Sequence, residues 1–279
     1  MNDRIPRVRK TAALRLPVKQ ESANLSTYLN PRVVRNYAAS TALFPAEQRI
    51  IELYSTQFRG DVLDIAIGAG RTTRVLLPVA DSYVGVDFAS GMIAAAKAQF
   101  PRADLRCTDM RNVPKLLGRG KFDAILISFN GIDYIPWEDR NILLRSLRGM
   151  LRAGGILAFS THDLSSADEA RRFSVRPDLQ LRASVLLERP PEFFRRLLRL
   201  PFWCALAWRN RRRLRKKQMF FDGYAYLNDS GDNFGLLTTY TATQLQVNVL
   251  KEAGYIDVQI FQPWLQSSPT SFNYFVCRI

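Results

Sequence analysis

Two glycines and three aspartates carry the first chemical signal in this sequence. In "VLDIAIGAGRTT", Asp64 lies in an apolar run that leads to Gly68 and Gly70. Glycine at those positions lets the backbone turn tightly and lets a ligand approach with no Cβ in the way. Asp87 ends the next apolar run, "YVGVDF", where a carboxylate can accept both hydroxyl protons of a ribose. Asp109, in "CTDMRN", ends a third run, placed to receive an adenine amino group while Met110 offers its backbone N–H. A glycine turn alone is as often only a turn, whereas three acids at three successive strand ends point to a nucleotide site. The single histidine, His162, follows "GILAFST" at the same edge, and an imidazole with an unperturbed pKa near about 6.5 suits deprotonation of an ammonium or hydroxyl. Local packing would explain it as well. Asp133 and Tyr134, in "NGIDYI", are further candidates for substrate contact, although the same loop could simply turn into "PWEDR".

These residues need elements that hold them at one edge of a sheet. From 44 to 161 short apolar runs alternate with helical periodicity, the pattern of parallel strands linked by crossover helices. Helices are predicted over "FPAEQRIIELYSTQF", "GRTTRVLLPVA", "SGMIAAAKAQF" and "NILLRSLRGMLR", the last stopped by Ala153-Gly154-Gly155. Strands are predicted over "DVLDIAIG", "SYVGVDF", "ADLRCTD", "FDAILISF" and "GILAFSTHD". After Asp163 the alternation stops for about 75 residues, and Arg, Leu, Pro and aromatics take over, as in an insertion or lid. Regularity returns with the helix "TATQLQVNVLKEAGY", capped by Thr241 or Thr243, and the strands "IDVQIFQ" and "FNYFVCRI".

With these motifs in order, the chain resembles the class I S-adenosylmethionine-dependent methyltransferases. "VLDIAIGAG" resembles their glycine-rich first motif, "VGVDFASGM" their ribose-binding acid, "CTDMRN" their adenine-binding turn and "FDAILISFNGIDYI" their fourth motif. The likeness covers roughly residues 28–162 and 236–279. It implies an α/β, Rossmann-like seven-stranded methyltransferase sheet, its last strand antiparallel, with an inserted and partly helical lid. It also implies S-adenosyl-L-methionine as cofactor. Asp64 would anchor the loop near the methionine ammonium; Ala66, Gly68 and Gly70 would line methionine and ribose; Asp87 would hold the ribose, with Phe88 and Met92 beside it. Asp109 and Met110 would frame adenine, and Phe129 and Asn130 would lie beside the sulfonium. Ala66 departs from the family, many of whose members have a glycine there; a small residue still permits close approach. "STYLNPRVVRNYAASTALFP" is similar to the N-terminal cover helix of small-molecule members, in which Tyr37 or Tyr28 would close over the cofactor. A hydride-transferring dehydrogenase is the rival for a glycine loop plus acid, but its G-x-G-x-x-G needs a third glycine where this chain has Arg-Thr-Thr after Gly70.

The implied organisation is a basic arm and cover helix over 1–43, a cofactor-binding core over 44–162, a lid over 163–240 and a completing helix and strands over 241–279. Cys107, Cys204 and Cys277 have no metal-ligand spacing, so neither a metal site nor a disulfide framework is expected, and the setting reads as cytoplasmic. The net charge of +15 is uneven: residues 171–217 carry fifteen Lys or Arg against three acids. The stretch "RPPEFFRRLLRLPFWCALAWRNRRRLRKK" admits three readings: a lid with a solvated basic face, peripheral contact with anionic lipid through 189–221, and nucleic-acid binding. The last ranks lowest because no RNA-binding motif accompanies it, and Pro201 argues against one continuous helix. The expected activity is N- or O-methylation of a small molecule, a sugar or secondary metabolite. RNA or a membrane-associated lipid is the alternative substrate, and a non-catalytic cofactor-binding scaffold the alternative of another class.

Overall fold

The computed structural model describes residues 24–171, 190–229, 231–262 and 272–279. Residues 1–23, 172–189, 230 and 263–271 lie outside them, and with them the expected basic arm and part of the expected lid. Within them, five parallel strands form the centre: β1 (Asp61–Ile65), β2 (Ser82–Asp87), β3 (Asp104–Cys107), β4 (Phe122–Ile127) and β5 (Leu151–Asp163), in the order β3-β2-β1-β4-β5. Strand β10 (Phe272–Arg278) runs antiparallel between β5 and β9 (Ile256–Phe261), completing the seven expected strands and the reversed last one.

Both faces of this sheet are covered, which is why its strands read as continuous apolar runs. Along β1 and β4, Leu63, Ile65, Ile125 and Ile127 join one core cluster. Val62, Ala124 and Leu126 point the other way into a second, with Ile50 and Phe58 from the helices α2 (Pro45–Leu53) and α3 (Ser55–Arg59). Each of the Val, Leu, Ile and Phe side chains contributes about 1.5–3 kcal/mol by leaving water.

Several element boundaries differ from the sequence reading. The helix predicted over 44–58 is two helices meeting at Tyr54. The helix after Gly70 is only the short α4 (Thr73–Leu76), because Pro78 cannot continue it. The helix before β5 is α7 (Trp137–Arg148), with Glu138 and Asp139 in its first turn and Arg145 and Arg148 in its last, matched to the helix dipole. It stops at Gly149, so Ala153-Gly154-Gly155 is instead an irregularity in β5, where Gly154 takes φ 79° and the register against β4 shifts. The C-terminal helix, α10 (Thr243–Glu252), starts from Ala242 without a side-chain cap, so neither Thr241 nor Thr243 serves.

The stretch expected as a lid is partly sheet. Strands β6 (Met219–Phe220), β7 (Tyr224–Leu227) and β8 (Thr238–Thr241) form a meander that joins the carboxyl end of β5 through the parallel pairs His162 with Tyr240 and Asp163 with Thr241. The sheet therefore has ten strands, the seven expected and three from this stretch. Before it runs helix α9 (Pro190–Leu214), continuous across Pro201.

Candidate active site

Tight backbone turns at the ends of β1 and β4 build the site. Ala66, Gly68 and Gly70 all take positive φ, at 60°, 55° and 97°. Opposite them Phe129 and Asn130 do the same, at φ 50° and 60°. Left-handed non-glycine residues cost roughly 1–2 kcal/mol each, and such strain concentrates where a site requires a backbone shape. The two turns press together: a Cβ at Gly131 would lie 2.5 Å from the Ala66 Cβ. Asp87 fastens this arrangement, its Oδ2 accepting the Gly68 N–H at 2.8 Å and its Oδ1 the Ala89 N–H at 2.9 Å.

Between these turns lies a cavity of about 360 Å³. Its walls include Ala66, Gly68, Asp87, Phe88, Met92, Asp109, Met110, Phe129 and Tyr134. The cover comes from the N-terminal region: Tyr37, on helix α1 (Pro31–Ala39), and Tyr28, in the helical turn over 24–28, both line it. Tyr28 packs edge-on against Tyr37, Phe88 and Tyr134, at ring separations of 5.9, 5.9 and 5.3 Å. Burial holds the Tyr28 and Tyr134 hydroxyls far above their ordinary pKa, so both keep their protons.

The acids differ in environment. Burial pushes Asp87 up to about 6 against the lowering effect of its backbone hydrogen bonds. Asp64 is fully buried beneath the turn, where its Oδ2 accepts from Thr72 Oγ1 at 2.6 Å and Tyr83 Oη at 2.8 Å. Its Oδ1 finds no donor among the described residues, and burial raises this carboxyl to about 7. Asp109 goes the other way: burial would raise it, but the Arg111 side chain and N–H hold it below the usual carboxylate range. Arg111 in turn reaches Asp139 at 2.7 Å.

Behind Asn130 stands a second polar cluster. Asp133 is fully buried; its Oδ1 accepts from Arg140 Nη1 at 2.8 Å and Thr161 Oγ1 at 2.6 Å. Its Oδ2 lies 2.8 Å from both the backbone N and Nδ1 of His162. That carboxylate favours the tautomer with the proton on Nδ1, leaving Nε2 as the acceptor, which faces the Asn130 Nδ2 at 3.2 Å. The imidazole stacks on Tyr240, centroids 4.7 Å apart, so the strands after the lid helix form one side of this cluster.

Eleven of the sixteen residues singled out from sequence meet at the cavity: Tyr28, Tyr37, Ala66, Gly68, Asp87, Phe88, Met92, Asp109, Met110, Phe129 and Tyr134. The other five stand behind its walls. Asp64 supports the turn from below, and Gly70 makes room for Phe100, whose ring atom would be 2.8 Å from a Cβ there. Asn130, Asp133 and His162 form the adjoining cluster. Sequence reading missed Arg71, although it follows Gly70 directly. Its guanidinium pairs with buried Glu47, donates to Ser128 Oγ at 2.8 Å, and lies over the Phe44 and Phe129 rings. It also missed Asn24, whose amide donates to Leu237 O at 3.2 Å across 213 residues; no local pattern encodes such a pair.

A seven-stranded order with its last strand reversed, and a glycine turn bonded to the acid ending the second strand, define the class I S-adenosylmethionine-dependent methyltransferase fold. Residues 62–155 match the family described as Methyltransferase domain, in agreement with the class I S-adenosylmethionine-dependent methyltransferase resemblance of the sequence. A probable S-adenosylmethionine-dependent methyltransferase of Mycolicibacterium smegmatis is 26% identical over 130 residues, 46% of this chain and 49% of that protein. Methyltransferase ptaI of Pestalotiopsis fici is 32% identical over 105 residues, 34% of this chain and 30% of that protein. The match thus spans half or less of each of these curated relatives. Among solved structures, the Burkholderia thailandensis 1,6-didemethyltoxoflavin-N1-methyltransferase, with its substrate and S-adenosylhomocysteine bound, superposes with a TM-score of 0.57. It is 14% identical, with 96% of this chain and 92% of that one covered, a likeness of fold.

Proposed function

We propose that this protein transfers a methyl group from S-adenosyl-L-methionine to a nitrogen or oxygen of a small molecule, a sugar or secondary metabolite. The observation that carries the reading is the cavity framed by Asp87 and Asp109 at adjacent strand ends beside the open Gly68 backbone. The residues present fit the cofactor. Asp87 suits a ribose diol, and Asp109 with the Met110 N–H suits an adenine edge. Asp64, buried beneath the turn and held by Thr72 and Tyr83, would act on the methionine ammonium only through the loop that it anchors. Tyr37, Phe88 and Met92 would close over the adenosyl group, with Phe129 and Tyr134 toward the reacting end.

The bound cofactor would supply an electrophilic methyl on a sulfonium, so the protein's main tasks are alignment and exclusion of water. The Tyr28, Tyr37 and Tyr134 rings serve the second task. His162 is proposed as the base for a protonated acceptor: Asp133 fixes its Nδ1–H, and Nε2 is reached when the Asn130 amide turns aside. Asp133 itself, already accepting from four donors, is a positioning residue. A cytoplasmic setting, suited to three unpaired cysteines, belongs to the same reading. Among the described residues no helix is long and apolar enough to cross a membrane.

The test is transfer of labelled methyl from S-adenosylmethionine into an extract of the source organism, separated into small-molecule, lipid, RNA and protein fractions. Label among the water-soluble small molecules is expected. Label confined to RNA or lipid would overturn the substrate class, and cofactor binding without consumption would identify a scaffold instead.

A further inference from the structure

Helix α9 is amphipathic in the opposite sense to what burial against a core requires. Its inward face is secured to the protein: Ala207 and Leu214 are buried, Asn210 donates to the Asn233 carbonyl at 3.2 Å, and Arg211 lies over the Phe234 ring. Its outward face carries Leu197, Leu198, Phe202 and Trp208 at helical spacing, with 42%, 82%, 62% and 58% of their surface exposed. Directly after Trp208 the exposed residues become Arg209, Arg212 and Arg213, and Arg215, Lys216 and Lys217 follow, all exposed. A contiguous apolar face of this kind marks an interaction surface. The basic end states the charge of the partner.

We propose that α9 docks this protein on an anionic membrane surface, its outward apolar residues entering the headgroup boundary and its basic end engaging lipid phosphates. An interface that is hydrocarbon on one side and anionic on the other matches the face in both parts, with long Arg and Lys side chains reaching outward from the apolar layer. RNA would satisfy the basic end and leave Leu198 and Phe202 in water. A second copy brings its own net charge of +15 against this one. Pro201 is on the exposed face, so the Leu197 carbonyl deprived of its helical donor lies where water or headgroups can satisfy it.

The docking helix also touches the cofactor cover. Arg32 of α1 stacks on Trp203, its guanidinium 3.4 Å from the ring centroid, and α1 carries Tyr37. Membrane contact would therefore hold the cover helix close to the lipid surface. The inference stands on α9 alone and survives if the methyl-transfer reading fails.

Flotation of the full chain with vesicles of 70% phosphatidylcholine and 30% phosphatidylglycerol at 150 mM salt tests it. The wild type is expected to float, and Leu198→Asp with Phe202→Asp to lower partitioning by more than about a hundredfold at unchanged melting temperature. Replacing Arg212, Arg213 and Lys216 with Gln should cost about fivefold per charge. Equal binding to vesicles of phosphatidylcholine alone, or indifference to the Leu198/Phe202 pair, would overturn the proposal. So would failure of the wild type to float, or a dimer in light scattering that the Asp pair dissociates, since a second copy would then be the occupant.

Discussion

Replacing Asp64 with Asn tests whether burial governs the acid beneath the glycine turn. The folded protein raises this carboxyl from 3.8 to about 7. Below about pH 4 it is protonated in folded and unfolded chains alike, and the group is neutral toward stability. Between about pH 4 and 7 the unfolded chain ionises while the folded one keeps its proton, so stability is lost as pH rises and levels off above 7. A difference of about 3 pH units corresponds to about 4 kcal/mol. In Asp64→Asn the amide oxygen can still accept from Thr72 and Tyr83, and the NH2 replaces the oxygen that has no partner. One buried donor left unpaired costs about 1–3 kcal/mol at every pH. The variant should therefore be less stable than the wild type at pH 4.5 and equal or more stable at pH 8. Urea unfolding across that range measures the difference curve, in which the slope due to Asp87 cancels because both proteins contain it. A difference independent of pH would refute the reasoning.

Asp87→Ala should weaken S-adenosylmethionine binding by about a hundredfold or more, since it removes a charged acceptor and releases the Gly68 N–H; unchanged affinity by calorimetry would remove Asp87 from the ribose site. Gly131→Ala should destabilise by about 1–3 kcal/mol because its Cβ meets that of Ala66, and the cost should vanish in an Ala66→Gly background, a double-mutant cycle readable in urea. His162→Gln should lower kcat by about a hundredfold or more while leaving cofactor affinity unchanged, and a retained kcat would exclude it as the base. Asp133→Asn should cost about 3–5 kcal/mol of stability, because it leaves the buried Arg140 guanidinium without its counter-charge.

The sequence alone determined the parallel core and the cavity's principal walls. Both rest on local patterns: continuous apolar runs report strands covered on both faces, and glycines or acids immediately after them report turns at the carboxyl edge. Asp87 and Asp109 were legible because a strand end has one place to be. Tertiary structure decided what depends on distant partners. Within 219–241 three strands form because β5 outruns β4 and offers an edge beyond it at His162 and Asp163. The same extension brings Tyr240 onto His162, while Asp133 arrives from the loop after β4. The orientation of α9 was equally undecided in sequence, since the spacing of its residues does not say which face is turned inward. Only the anchoring of Asn210, Arg211 and Leu214 against the loop at 231–234 sets Leu198 and Phe202 outward. Periodicity specifies that a helix has two faces; contacts from elsewhere in the chain choose which one meets solvent.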